Sequence, residues 1–326
     1  MKHSIIPINW FGTPVTSTTT LTGIVQTAYS KFVEFAFQPQ LYFSQFARQK
    51  TWDINERDPM PGDVVTFTIF NSLAAATGQL PETTSPSAVV MGKTQKSVTL
   101  NEYGALVTTS AKLRTLSFTD VDSALGTVVG QNMGLSIDLI ARAAFDAHTG
   151  AGYVKYASGT ALTDITATNI ITAADIRYAR NRLARNNVIK NDNQHYVAVL
   201  HPDVIYDLRA ETGSGAWRAP KEYVDPSEIY NGEIGLFEGF RFVETTNAQL
   251  QADAGTGAVD VYTSYFFGFQ AVAYANGIAP RMQMSGPFDE FQRLTHVVWY
   301  ALIGFGELRR ESLYKIYTAS SAGENV

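Results

Sequence analysis

The residues able to do chemistry in this 326-residue chain are few and badly spaced for it. The five histidines are His3, His148, His195, His201 and His296. No two stand three or four residues apart, the spacing that puts two metal ligands on one helix face. His195 and His201 flank a candidate strand and read as structural. No serine sits in a nucleophile elbow, and no glycine-rich loop ends in Lys-Ser or Lys-Thr. Gly304 and Gly306 lack a third glycine, run on into Glu307 and read as a bend between strands. Asp203, Asp207 and Glu211 recur at four-residue steps and share one helix face. A water-facing stripe accounts for them better than acid–base catalysis does. The absence of cysteine excludes disulfides, thiolate-bound zinc and thiol catalysis. The 16 tyrosines and 19 phenylalanines do not alternate with Lys and Arg as a nucleic-acid stacking platform would. No catalytic, cofactor or metal site emerges, so the expectation is a protein that is not an enzyme.

The bulk numbers point the same way. Charged residues make up only 17% of the chain, which either leaves surface free to be covered by other chains or simply reflects a Thr- and Ala-rich sequence. The net charge of -5 argues against gripping nucleic acid as the main task. The length suits one large lobed unit or two domains. The longest apolar run, residues 265–279, contains Gln270 and Asn276 and falls short of the ~20 apolar residues of a spanning helix. Residues 1–11 carry Pro7 and Asn9 where a signal peptide needs an apolar stretch. The expectation is a protein without a membrane segment that stays in the compartment where it is made.

The elements are more informative than the reactive groups. Residues 13–22 are threonine-rich and read as an arm that orders only when docked. A helical pattern follows through Ile24, Phe32 and Phe35, ended by Pro39, and Tyr42, Phe43 and Phe46 form an aromatic core cluster. After a turn at 58–62, Val64–Phe70 reads as a strand, and a second limb runs over 97–109, broken at Gly104. The tip between them has little apolar material beyond Leu73, Leu80, Val89, Val90 and Met91. A two-stranded hairpin is marginal in water, and a long structureless loop is foreign to a compact domain. Both difficulties disappear if the hairpin lies on a neighbouring subunit.

Residues 118–148 carry the strongest helix signal, with a weak capping box at Thr119–Asp122 and a broad face through Val121, Leu125, Val128, Met133, Leu135, Leu139 and Ala143. Its length would be about 45 Å. A second helix over 172–187 has a capping signal at Thr172–Asp175, a buried stripe of Ile176, Ala179 and Leu183, and Arg177, Arg180, Arg182 and Arg185 outside. A strand, a His-Pro break and a short helix occupy 195–210. A glycine turn and strand follow at 232–246, and a surface loop at 252–260. Strands at 295–303 and 307–317 close the chain.

In this order the segments resemble the major capsid proteins of tailed bacteriophages with the Hong Kong-97 fold, and more narrowly the type of the coliphage N-four capsid protein. The phrases that carry the resemblance are TGIVQTAYSKFVEFAF (22–37), VTFTIFNSLAAAT (65–77), VTLNEYGALVTTSAKLR (98–114), GLSIDLIARAA (134–144), HPDVIYDLRAETG (201–213) and AWRAPKEYVDPSEIYNGEIG (216–235). The resemblance implies an α+β, Hong Kong-97-like capsid fold. It divides the chain into an N-terminal arm and helix (1–48), an extended E-loop hairpin (49–112), a peripheral domain with the spine helix (113–167), an axial domain (168–262) and a return to the peripheral domain (263–326). It implies a virion protein, assembled in the host cytoplasm, that self-assembles as pentamers and hexamers into an icosahedral shell around double-stranded DNA. Scaffolding, portal and decoration proteins would be partners, DNA would be touched without sequence specificity, and no cofactor or membrane is implied. Subunit contacts are expected at Leu80, Val89, Val90, Met91, Lys93 and Lys96 of the hairpin and at Arg177 and Arg180. Some members of the fold crosslink a hairpin lysine to a peripheral asparagine; residues 289–293 hold no asparagine, so no crosslink is expected here. A cellular nanocompartment shell shares the fold and is the alternative. A hydrolase would need a nucleophile–base pair that the sequence does not offer.

Overall fold

In a computed structural model, the structure describes residues 41–51, 64–71, 73–80, 82, 83, 85, 88–117, 121–211 and 233–323. The threonine-rich arm, the helix at 24–35, the turn at 58–62 and the Thr119 cap lie outside the described residues. In chain order the elements are β1 (Arg48–Thr51), β2 (Val64–Phe70), β3 (Lys93–Thr99), β4 (Asn101–Ser110), α1 (Ala111–Leu116), α2 (Val121–Asp146), β5 (Val154–Tyr156), α3 (Ala173–Arg185), β6 (Tyr196–Leu200), α4 (Pro202–Ala210), β7 (Glu233–Phe237), β8 (Phe240–Glu244), β9 (Leu250–Gln251), β10 (Val261–Phe267), β11 (Val272–Ser285), β12 (Leu294–Glu307) and β13 (Leu313–Thr318).

Three sheets follow from these strands. The largest has the order β5-β13-β10-β6-β8-β7, with β9 on β10. Every residue of β6, β10 and β13 is buried, because the sheet is covered on both faces. Alternate residues serve each side. Ala198, Leu200, Phe266 and Ile316 pack under α3 and α4, while Val197, Val199, Tyr265, Phe267 and Leu313 pack against Phe43, Phe46, Ala141 and Phe145. Helix α3 begins as its sequence foretells: Thr172 and Asp175 cap one another's backbone, and Ile176, Ala179 and Leu183 are buried. Helix α4 starts on Pro202, with His201 as its N-cap.

The second sheet runs β1-β11-β12-β4. The N-terminal half of α2 lies on it through Val129 and Ile137 against Val297, Trp299, Ala301 and Ile303, and Trp299 Nε1 donates to Asn132 Oδ1 at 2.9 Å. The buried face of α2 is therefore Val129, Ile137, Ala141, Ala144 and Phe145. The expected face is displaced: Val128 and Ala143 are exposed. The reason is Asp138, a carboxylate buried in the middle of the true face, which disguises the apolar stripe.

The hairpin also differs from its expected form. Only β3 pairs with β2, from Val64 opposite Thr99 to Phe70 opposite Lys93. Strand β4 turns away and joins β12 over ten paired residues. Gly104 does not break it; the glycine sits mid-strand, where a Cβ would lie 2.6 Å from the Trp299 carbonyl oxygen. The base of the hairpin belongs to the subunit's own core, since Val65, Phe67 and Val98 pack on Ala273, Ala275 and Leu308. Gly304 and Gly306 are not a bend either. They lie inside β12, where the absence of side chains lets Val98 and the Thr99 carbonyl approach its backbone. The last strands are not a pair: β12 belongs to the four-stranded sheet and β13 to the seven-stranded one.

Glycine positions offer a direct test of this packing. A methyl group at Gly304 would overlap the Thr99 carbonyl, whereas one at Gly130 in α2 meets nothing within 4 Å. Gly304→Ala should destabilise the unassembled subunit by ~1–3 kcal/mol through overpacking. Gly130→Ala should stabilise it by ~0.5–1 kcal/mol through helix propensity. Urea unfolding of both variants beside the parent checks the pair; equal effects at the two sites would contradict this seating of β3 on β12.

Candidate functional site

Above its base the hairpin is in no sheet with the rest of the chain among the described residues. Asn71 closes the paired region: its N–H donates to the Gly92 carbonyl at 2.9 Å, and its side chain accepts from Thr94 Oγ1 at 2.9 Å. Among the described residues from 73 to 92 none is in a strand. Leu80 is 76% exposed and Val90 87%, with Phe70, Leu73, Val89 and Met91 also open. This is an apolar surface carried on an arm, the kind that marks an interaction site.

Lys93 and Lys96 have different surroundings. Lys93 stands at the outer end of β3, opposite Phe70. Lys96 Nζ lies 3.7 Å from Glu307 Oε1 at the end of β12. The other carboxylate oxygen, Oε2, is 2.8 Å from His148 Nδ1, two residues past the end of α2. His148 is fully buried, and its Nε2 has no partner. Burial pushes the imidazole pKa down, against the pull of Glu307. The row Lys96–Glu307–His148 thus ties the hairpin base to the C-terminal end of the long helix.

The arginines of α3 are distributed as expected but are partly engaged. Arg177 Nε donates to Glu238 Oε1 at 3.0 Å, and Arg180 Nη1 lies 3.5 Å from Glu238 Oε2. Glu238 is held there by the β7–β8 turn, where its φ is 49° and Gly239 follows at 80°. Arg182 is stacked on Tyr178 and donates to its hydroxyl. Only part of this positive charge faces outward unopposed.

The row of carboxylates on α4 is not a water-facing stripe. Asp203 accepts a 2.8 Å hydrogen bond from the Tyr262 hydroxyl. Asp207 is buried and accepts from the backbone N–H of Ser321 at 2.9 Å and from its hydroxyl. Glu211 accepts from the Ala173 N–H at 2.8 Å, at the start of α3. These are clamps between elements, and their partners lie too far along the chain for spacing to reveal them. The same holds for Asp138, which takes N–H groups of Phe43 at 2.7 Å and Ser44 at 3.3 Å and the amide of Asn247 at 2.8 Å. Burial raises its pKa against those hydrogen bonds. Among the described residues no group of three or more His, Asp or Glu is arranged to hold a metal, and no helix is long and apolar enough to cross a membrane.

Two clefts border these features. One, of about 520 Å³, opens at the hairpin base beside Arg48, Phe67, Phe70 and Arg309. The other, of about 650 Å³, lies between α2 and the four-stranded sheet, lined by Met133, Ile137, Tyr274 and Phe305.

A family model described as "Phage capsid protein" matches residues 53–314. None of the curated protein sequences matches the chain. Among solved structures, the capsid of Ralstonia phage GP4 superposes with a TM-score of 0.71 at 14% identity, covering 98% of this chain and 100% of that one. The capsid of cyanophage P-SCSP1u gives 0.70 at 16% identity, with 98% and 100% covered. Cyanophage Pam1 gives 0.67 at 16% identity, with 90% and 96% covered. At such identities the likeness is one of fold, and that fold is the Hong Kong-97-like fold.

The buried histidine sets a pH dependence whose sign can be worked out. In the unfolded chain an imidazole titrates near 6.5; in the folded subunit burial holds His148 below that value. Between the folded and unfolded pKa values the unfolded chain binds more protons, so stability falls as pH drops through this window. Asp138 and Asp146, whose pKa values are raised, act in the opposite sense: their contribution is present under acid conditions and lost as pH rises through their folded pKa values. His148→Gln should therefore flatten the loss of stability just below pH 6.5 and leave the contribution of these carboxylates unchanged. Chemical denaturation of unassembled subunit across pH 4–8 checks this, and an unaltered slope near pH 6 would show that His148 is solvated.

Proposed function

We propose, for a chain that belongs to the phage capsid protein family, that the exposed hairpin tip is the element by which one subunit holds the next. The chain is a structural protein of the virion, a major capsid protein that builds a shell. How it does so is our reading. The observation that carries the reading is the division of the hairpin into an anchored base and an exposed apolar tip. Leu80, Val89, Val90 and Met91 would lie on a neighbouring copy, with Lys93 at their edge. At ~25 cal/mol per Å² of apolar surface, covering these side chains contributes a few kcal/mol per subunit. Repeated around a closed lattice, contacts of that size act together.

In this reading residues 49–112 are the E-loop, 113–167 and 263–326 the peripheral domain, and 168–262 the axial domain, with residues 1–48 as an arm. Pentamers and hexamers, assembled in the host cytoplasm with scaffolding, portal and decoration proteins, would close the icosahedral head. The narrower kinship with the coliphage N-four type rests on the phrases quoted above. Arg177 and Arg180 would touch packaged DNA at its phosphates and without regard to sequence. Glu238 already engages both, and the net charge of the chain is -5. The family match favours a phage head over a cellular nanocompartment.

Replacing residues 79–92 by a short Gly-Ser turn tests the reading. The subunit should remain folded, because the core clusters of the two large sheets contain no tip residue. Shell formation should be lost or reduced at least tenfold. Circular dichroism and sedimentation of the deletion beside the parent read the two outcomes separately. An unfolded subunit would assign the tip to the monomer's own core, and shells of undiminished yield would make it a passive loop.

A further inference from the structure

The cleft at the hairpin base has an unusual balance of groups. Phe67, Phe70 and Leu308 form apolar walls, and two guanidiniums, Arg48 and Arg309, stand at it. Arg309 Nε is buried with no hydrogen-bond partner. Arg48 lies over the Phe269 ring at 5.8 Å. Among the described residues no carboxylate pairs with either. A guanidinium in such a setting is completed by a planar carboxylate, whose two oxygens match its fork of donors.

The hairpin tip carries the complement. Between Asn71 and Gly92 the chain has a single charged residue, Glu82, which is exposed and lies near the exposed Leu80. One carboxylate among apolar side chains faces two guanidiniums among apolar walls. The tip of the same chain does not occupy the cleft. It departs from Phe70 at the cleft's own rim, and its described apolar residues remain open to solvent.

We infer that the cleft of one subunit receives the hairpin tip of a second copy, with Glu82 placed between Arg48 and Arg309. The inference rests on the reading that the tip lies on a neighbour, and it names the place where it lies. A tip-into-cleft contact joins two different patches, so it is head-to-tail, the kind of contact from which a ring is built when the rotation between copies closes. The base that forms the cleft is fixed to the core by Val65, Phe67 and Val98, so each subunit presents a rigid receptor at the foot of its own donor arm.

Charge reversal in the full-length chain tests this. Glu82→Arg and Arg309→Glu, each alone, should lower shell yield on the order of tenfold by sedimentation, and the double variant should return to within about twofold of the parent. Arg48→Glu with Glu82→Arg is a second such pair, which decides the matter should Arg309→Glu fail to fold by circular dichroism. Silent single reversals, or a double variant no better than the worse single one, would overturn the assignment. So would normal shells from Arg48→Glu coupled with loss of packaged DNA, since the cleft would then be a phosphate site. If tip deletion abolishes shells while the reversals are silent, the tip docks elsewhere and only this inference falls. If tip deletion is itself silent, both fall.

Discussion

The fold turns on a buried cation. Lys315 lies in β13, a strand with every residue buried, and its ammonium cannot reach water. It is accommodated because α2 ends directly beside it. The Lys315 Nζ donates to the Asp146 backbone carbonyl at 2.8 Å, at the negative end of the helix, and the Asp146 carboxylate accepts from the Tyr265 hydroxyl on β10. Burial lowers the Lys315 pKa and raises that of Asp146, whose carboxylate also pairs with Arg142 Nε at 3.2 Å one turn earlier in the helix. Removing either side of the Lys315 contact would leave a buried polar group unpaired, at a cost of about 1–3 kcal/mol or more. What it provides is registry. It fixes where the C-terminal end of α2 meets the seven-stranded sheet, and hence how the other end of the same helix crosses the four-stranded sheet.

That registry fixes the rest in turn. Besides the passage through α2, the chain runs directly from one large sheet to the other at residues 268–271 and 308–312, and these two crossings lie side by side. Gly268 N–H donates to the Ser312 carbonyl at 2.9 Å, and Leu308 N–H to the Ala271 carbonyl at 3.0 Å. At this junction Glu307 meets His148 from the helix and Lys96 from the hairpin. The hairpin base is therefore positioned by the same few residues that position the helix. A capsid subunit that places its arm in this way can carry an apolar tip outward without losing the arm's direction.

The sequence made some of this visible and concealed the rest for identifiable reasons. Helix α3 was readable because Thr172 and Asp175 are three residues apart and its buried stripe is purely apolar. Strand β2 was readable because its alternation of inward and outward residues is intact. The face of α2 was misread because Asp138 occupies a buried position that a hydrophobic pattern assigns to solvent. Gly304 and Gly306 suggested a bend, since a glycine that admits a crossing backbone looks the same in sequence as one that permits a turn. The sequence keeps the whole of 97–109 in the hairpin because nothing local marks the change of partner from β2 to β12 after Thr99. Asp207 with Ser321 and His148 with Glu307 are separated by 114 and 159 residues, beyond any motif. The exposed tip could be anticipated from its composition, whereas the cleft could not, since Arg48, Phe67 and Arg309 come from three distant segments.

A shell subunit must be stable before it assembles and yet bind its neighbours weakly enough that misplaced contacts can dissociate. Those demands conflict if one set of residues serves both. On the proposed reading they are separated along the chain. Stability resides in apolar clusters and in buried polar pairs that span most of the sequence, such as Phe43 with Asp138 and Tyr265 with Asp146. Among its described residues the tip contributes none of these: its residues are small or polar with a few apolar side chains and one carboxylate, so each copy gains little. A mutation in the tip leaves the fold nearly untouched, and one in the buried pairs reaches the tip only by unfolding what carries it. Such independence lets the strength of the lattice be adjusted without endangering the subunit, and it follows from putting long-range polar pairs inside and short-range apolar groups at the end of an arm.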